Sequence, residues 1–240
     1  AFFAYPNKPS LLAPDGTQFT TLAEADEDIV QALEWLADEL GASRQAIEPA
    51  KLAPPAPASG EINAMNLAQS LGALIPENAI VVDEGVSTGR GFFPSTRNAR
   101  PHDWLQNMGG SIGIGMPLAT GAAVACPDRT VINLEGDGSA MYTVQALWTQ
   151  AREGLNVKTV IFANRQYAIL RHELANVGAQ NVGRKALDML DLDRPTLDFV
   201  GMAKGMGVPG ERVATMDEFN VALARALATP GPYLVEAVIG

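Results

Sequence analysis

Cysteine is almost absent from this chain. Cys126 is the only one in 240 residues, so no intrachain disulfide can form. Histidine is nearly as scarce, and His102 and His172 are too few for a His-rich metal centre. No apolar run reaches the roughly 18 residues that a membrane span requires, so no membrane role is expected. Basic residues are outnumbered, 17 Lys and Arg against 27 Asp and Glu, for a formal net charge of −10. That balance excludes a reader of nucleic-acid backbones, which needs clustered cations. It leaves room for one anionic ligand, because a metal ion and oriented backbone amides can supply local positive charge. A cytoplasmic setting is the expectation.

What is present suits a chain with a real core, 47% hydrophobic and 18% charged. The first 43 residues carry two short strand-like stretches, "AFFAYPNKPSLL" and "TQFTTLA". Thr21-Leu-Ala-Glu24 follows with capping-box spacing, and Ile29, Leu33, Leu36 and Leu40 fall on one helical face. Such a piece buries too little to stand alone. It is expected to be the tail of a domain whose first part is absent, the favoured reading, or an extension packed on the main domain. Residues 44–60 form a Pro/Ala-rich linker, with prolines at 49, 54, 55 and 57. Residues 61–240 then alternate helix and strand patterns.

In that third region "NAMNLAQSLGALI", "GIGMPLATGAAVA", "TLDFVGMAKGMG" and "FNVALARALA" read as helices, the last behind a capping-box pair, Thr215 and Glu218. "AMYTVQALWTQAREG" reads as a single helix with Met141, Val144, Leu147, Trp148 and Ala151 along one stripe. "AIVVD", "TVINLEG", "VKTVIFAN" and "YLVEAVI" read as strands, apolar without alternation, as in a parallel sheet covered on both faces. The expected fold is therefore α/β, a doubly wound and mostly parallel sheet with helices on both faces. Ligands of such sheets bind at the carboxyl ends of strands. Asp83-Glu84, Asp137 and Asn164 all stand at such ends.

Gly136-Asp137-Gly138 and Asn164, with 25 residues between Gly138 and the Asn, suggest a hard-metal site. Magnesium takes oxygen ligands in octahedral array, commonly one or two carboxylates plus substrate phosphates. Asp137 offers a carboxylate, Asn164 an amide oxygen, and Gln166 a main-chain carbonyl. These neither fill six positions nor neutralise two charges, and a diphosphate would do both. The flanking glycines permit a sharp turn and close approach to a ligand. Ser139 and Ala140 would begin a helix whose free N–H groups face the same way. Alone, Gly-Asp-Gly is equally an ordinary strand-to-helix turn with Asp137 near the N-cap. The strand-helix-strand spacing to Asn164 favours the metal.

The same residues resemble the signature of thiamine diphosphate (ThDP) enzymes. "VVDEGVSTG" (81–89) resembles that family's first diphosphate-side loop, "NMGGSIGIGMPLATGAA" (107–123) its grip on the aminopyrimidine ring, and "ANRQYAIL" (163–170) its metal and phosphate loop. The resemblance covers residues 61–240 and is strongest to the group of acetolactate synthases and benzoylformate decarboxylase. It implies Mg²⁺ on Asp137, Asn164 and the Gln166 carbonyl. It implies diphosphate on Ser87, Gly138, Ser139 and the amides near Tyr167, Ala168 and Ile169. Ile112 would be the apolar wedge that bends the cofactor, and the Gly110 carbonyl would accept from its 4′-amino group. Without the family, Ile112 reads as a plain core residue.

The implied activity is decarboxylation of a 2-oxo acid with carboligation, as in acetolactate synthases. A benzoylformate decarboxylase-like or 2-hydroxyacyl-CoA lyase-like enzyme is the alternative, and a non-catalytic ThDP-fold module a third. Family members take an activating glutamate from a separate pyrimidine-binding domain, across a dimer interface. No such residue is found in this chain, so the glutamate is expected from another domain of the same or a partner chain, in a homodimer or homotetramer. Leu170 stands where simple pyruvate decarboxylases carry glutamate, and its apolar character resembles the acetolactate synthase group. The segment 171–195 is expected to close over substrate.

Other motifs weigh less. Gly113-Ile-Gly115 is followed by Leu118 where a dinucleotide fingerprint needs glycine, and no Walker lysine is present. His172 reads as a solvated helix residue before a substrate contact. Asp83-Glu84 could be a catalytic carboxylate pair, but reads better as a strand-end pair in which Glu84 positions a loop.

Overall fold

A computed structural model of the chain describes residues 16–42 and 53–239. The chain divides into two compact units, residues 1–50 and 51–240. Among the described residues no helix is long and apolar enough to cross a membrane.

In the first unit the described element is a helix, Ile29–Glu39. Its start differs from the expected Thr21–Glu24 box. Asp28 is the N-cap, and its carboxylate accepts from the N–H groups of Val30 and Gln31. An acidic side chain immediately before the first apolar residue outcompetes a hydroxyl seven residues earlier. The strand expected over "TQFTTLA" is not formed; these residues lead into turns instead. The other expected strand, in the first twelve residues, lies outside the described residues, as does most of the linker.

The second unit is built on six strands: β1 (Ile80–Glu84), β2 (Asp103–Gln106), β3 (Val131–Gly136), β4 (Val157–Ala163), β5 (Gly210–Val213) and β6 (Tyr233–Val238). All pair in parallel, in the order β2-β1-β3-β4-β6-β5. The central strands β1 and β4 are buried at every position, which explains the missing alternation in their sequences. The edges β2 and β5 were not foreseen. They are four residues each, β2 largely open to solvent and β5 part-buried with only Val213 in the core, and their composition ("DWLQ", "GERV") has no strand-like run.

The helices sort as expected, with one correction. The stretch 140–154 is two helices, Asp137–Thr143 and Ala146–Arg152. Two short i→i+3 bonds make the joint, from the Leu147 and Trp148 N–H groups to the Val144 and Gln145 carbonyls. Separate anchors pull the halves apart. The Thr143 hydroxyl donates to the Gly113 carbonyl at 2.8 Å, while Gln150 donates to Thr120 Oγ1 at 3.0 Å. The expected apolar stripe breaks accordingly: Leu147 is buried, but Met141 and Trp148 stand largely exposed, the latter under the Arg152 guanidinium. The capping box of Thr215 and Glu218 forms as expected, ahead of the helix Met216–Ala228.

One buried charge in β4 carries a pH prediction. Lys158 Nζ donates to the Thr229 and Gly231 carbonyls at 2.6 and 2.5 Å, just past the 216–228 helix. Burial pulls its pKa from 10.5 down to about 8. Between those values the unfolded chain holds the proton and the folded one has released it. Stability on this account therefore rises with pH across that window. Urea melts between pH 8 and 10 should lose this upward slope in Lys158→Met; parallel pH profiles for the two proteins would refute it.

Candidate cofactor site

The strand order reverses between β1 and β3, since β1 is followed by β2 on one side and β3 continues on the other. The crevice outside the carboxyl ends of strands at such a switch point is where doubly wound sheets bind ligands. A cavity of about 350 Å³ opens there. Ser87 and its loop follow β1. Asp137, Gly138 and Ser139 follow β3. Asn164, Gln166, Tyr167, Ala168 and Ile169 follow β4, and Ile112 completes the wall. Ten of the eleven cofactor and metal residues expected from the sequence therefore line one cavity. The eleventh, Gly110, lines an adjoining space of about 240 Å³, whose wall shares Ile112 and Val86 with the first. The Gly110 carbonyl already accepts from the Ile112 N–H at 3.0 Å, and it retains a second lone pair.

Asp137 is almost fully buried. Its Oδ2 accepts from the Arg165 N–H at 2.6 Å and its Oδ1 from the Gly138 N–H at 2.9 Å. Burial raises its pKa to about 6 against the pull of those two bonds. Asn164 Oδ1 accepts from the Gln166 N–H at 3.1 Å. Arg165 between them has φ +58°, a left-handed turn that presents its N–H to Asp137. Gly138 has to be glycine, because a Cβ there would sit 2.7 Å from Tyr167 Cε1.

The Tyr167 amide, expected among the diphosphate donors, is spent on the Leu190 carbonyl at 2.8 Å. The segment 188–193 folds back on this loop, with Leu192 N–H on the Arg165 carbonyl and an Arg171–Asp191 ion pair. The Ala168 and Ile169 N–H groups open the helix Ala168–Asn176 and have no partner within it.

The two carboxylates ending β1 point different ways. Asp83 Oδ1 accepts from the Gly85 N–H at 2.9 Å and lies 2.9 Å from where a Cβ on Gly89 would be, bracing the loop that carries Ser87. Burial raises its pKa. Glu84 turns to the glycine-rich loop and accepts from the Gly113 and Gly115 N–H groups, so the pair is a positioning device. Beside it Glu135 is completely buried, with its pKa pushed well up by burial first and the Glu84 charge second. Glu135 was not singled out from the sequence, where it reads as one polar residue in a strand. Val86 was also missed. It is β-branched yet has φ +44°, and it lines both cavities. Leu170 lines the main cavity half-exposed. His172 is exposed on its helix and His102 lies beside Trp104, both away from the cavity.

The described lining residues include no Lys, Arg or His. Among the described residues, no cluster of three or more His, Cys, Asp and Glu side chains could hold a metal. One buried carboxylate, one amide oxygen, main-chain groups and a glycine turn remain. That all-oxygen set fits a hard divalent cation completed by a phosphate-bearing ligand.

The model of the thiamine pyrophosphate enzyme C-terminal TPP-binding domain matches residues 88–237. The chain belongs to this family. A Mycobacterium tuberculosis protein, provisionally named acetolactate synthase large subunit IlvX, is 50% identical over all of this chain and 46% of its own length. Benzoylformate decarboxylase of Pseudomonas aeruginosa is 35% identical over 87% of this chain and 39% of its own. The solved ThDP-dependent 4-hydroxybenzoylformate decarboxylase of Rhodococcus jostii superposes with a TM-score of 0.72 at 32% identity, over 88% of this chain and 39% of that one. The chain spans less than half the length of these relatives. As a TPP-binding domain, it accounts for the convergence of the β1, β3 and β4 loops on a single cavity.

Proposed function

We propose that the chain is the diphosphate- and Mg²⁺-binding part of a cytoplasmic enzyme that decarboxylates 2-oxo acids and joins the remaining fragment to a second carbonyl, as acetolactate synthases do. The observation that carries this reading is the convergence of Asp137, Asn164, Gln166, Ser87, Ser139 and Ile112 on one cavity. In it, the Asp137 carboxylate, Asn164 Oδ1 and the Gln166 carbonyl hold Mg²⁺. The Ala168 and Ile169 N–H groups and the Ser87 and Ser139 hydroxyls hold the diphosphate, whose charge meets no basic side chain among the described lining residues. Ile112 supports the bend between the cofactor's rings, and the Gly110 carbonyl accepts from the amino group. When bound, ThDP supplies the sink for the electron pair freed as the carboxylate carbon leaves. The glutamate that activates the pyrimidine would come from a pyrimidine-binding domain of the same or a partner chain, in a homodimer or homotetramer. Residues 43 and 61 are proposed as the limits of the central-domain tail and of the ThDP domain.

A second reading, an aryl 2-oxo acid decarboxylase or 2-hydroxyacyl-CoA lyase, draws on the apolar rim of Val86, Tyr142, Ile169 and Leu170. Product analysis of the complete protein with ThDP and Mg²⁺ separates the two. Acetolactate from pyruvate is the expected result, and benzaldehyde from benzoylformate alone would favour the second. Cofactor binding without turnover of either substrate would leave a non-catalytic module.

A further inference from the structure

The loop that carries Ile112 is poorly suited to hold a shape unaided. Gly109, Gly110 and Gly113 all have positive φ, and glycine loses more conformational freedom on ordering than any other residue. Yet a wedge acts only if its backbone is fixed, and Ile112 itself is 44% exposed, so packing does not fix it. Something else must hold the residues on either side.

Glu84 does this from the end of β1. Its Oε1 accepts from the Gly113 N–H at 2.6 Å and its Oε2 from the Gly115 N–H at 2.5 Å. Asn107 Nδ2 bridges Glu84 Oε1 and the Ser111 carbonyl at 3.3 and 3.2 Å, tying the other side of Ile112 to the same carboxylate. Glu84 is 1% exposed, so water does not compete for these bonds. Space is reserved for it as well. A Cβ on Gly115 would stand 2.9 Å from Glu84 Oε2 and would fall on the Glu135 carboxylate. Both oxygens are engaged in holding backbone.

We infer that Glu84 is the positioning residue for the wedge: one buried carboxylate, clamping two amides beyond Ile112, sets the angle at which that side chain meets the cofactor. This rests on the ThDP reading above. A Gln in its place keeps size and shape but offers one acceptor and one NH₂, so one of the two amides faces a donor. The clamp is lost while the diphosphate and metal ligands, on other loops, stay in place.

The test uses the complete protein, as wild type, Glu84→Gln and Ile112→Ala. Amide hydrogen exchange read by mass spectrometry on peptides covering 107–115 comes first, without cofactor. The segment should be protected in wild type and exchange about tenfold faster in Glu84→Gln, the cost of one lost bond. The second readout is ThDP with Mg²⁺. Its Kd should change less than about threefold in Glu84→Gln, while hydrogen exchange at the bound thiazolium C2 slows at least about tenfold, as in Ile112→Ala. A merely structural role would lower affinity and stability without this selective effect. The inference is overturned if 107–115 in wild type exchanges as freely as an open loop, a result needing no variant. It is equally overturned if Glu84→Gln leaves C2 exchange at the wild-type rate while Ile112→Ala slows it. Should wild type bind no ThDP, the cofactor reading fails, and the amide exchange still shows whether Glu84 clamps the loop.

Discussion

Asp137→Ala is expected to weaken Mg²⁺-dependent ThDP binding by more than about 100-fold, beyond what removing an outer-shell partner of a metal ligand costs. Among the described residues Asp137 is the only carboxylate lining the cavity, so no neighbour there can substitute for its charge. Its oxygens also hold the Arg165 and Gly138 N–H groups, which belong to two different loops of the site. Alanine therefore removes a ligand and loosens the frame together. Asp137→Asn separates the two effects. It keeps the volume and one of the two acceptors, so it should give up one amide bond, melt less far below wild type than Asp137→Ala does, and still lose most of the Mg²⁺ dependence. Titration calorimetry with ThDP at several Mg²⁺ concentrations reads both variants. Unchanged Mg²⁺-dependent binding in Asp137→Ala would mean that the metal site is wrongly assigned.

Gly113→Ala should be among the most destabilising single methyl additions in the molecule. Gly113 has φ +89°, and a Cβ there would sit 2.5 Å from Tyr142 Cβ. Neither atom lies at the end of a flexible side chain, so backbone must move. Movement is resisted from both sides, by Glu84 on the Gly113 N–H and Thr143 on its carbonyl. Overpacking and a left-handed non-glycine residue each cost on the order of 1–3 kcal/mol. A loss of about 3 kcal/mol corresponds to a Tm lower by roughly 6–12 °C in a domain of this size. Gly121→Ala is the control. It sits in the 115–125 helix with nothing near its would-be Cβ, and should gain about 0.5–1 kcal/mol from helix propensity. Thermal melts that rank the two variants equally would contradict the packing described here.

The ThDP-site motifs were readable because their chemistry is local. Gly136-Asp137-Gly138 ends a buried strand and starts a helix, and Asn164 ends the next strand. Neither statement needs to know what lies elsewhere in the chain. The parallel sheet was readable for a related reason, since strands covered on both faces write their burial into uninterrupted apolar runs such as "VKTVIFA". The glycines of 107–115 announced a tight loop, and the family resemblance attached a role to Ile112.

What stayed hidden depends on partners distant in sequence. β2 and β5 are strands because β1 and β6 offer them an edge, and nothing in four residues without an apolar run says so. The helix break at Val144 comes from Thr143 and Gln150 being held by different segments. The Tyr167 amide was claimed by Leu190, 23 positions later, beyond the Ala168–Asn176 helix, a pairing with no local pattern to read. Glu84 became a clamp because Gly113 and Gly115, about 30 residues on, fold over the end of β1. Residue types and short spacings thus place the ligands of a site on strand ends. The topology of the sheet gathers those ends into one cavity, because long-range pairing, which carries no local signature, sets which loops meet.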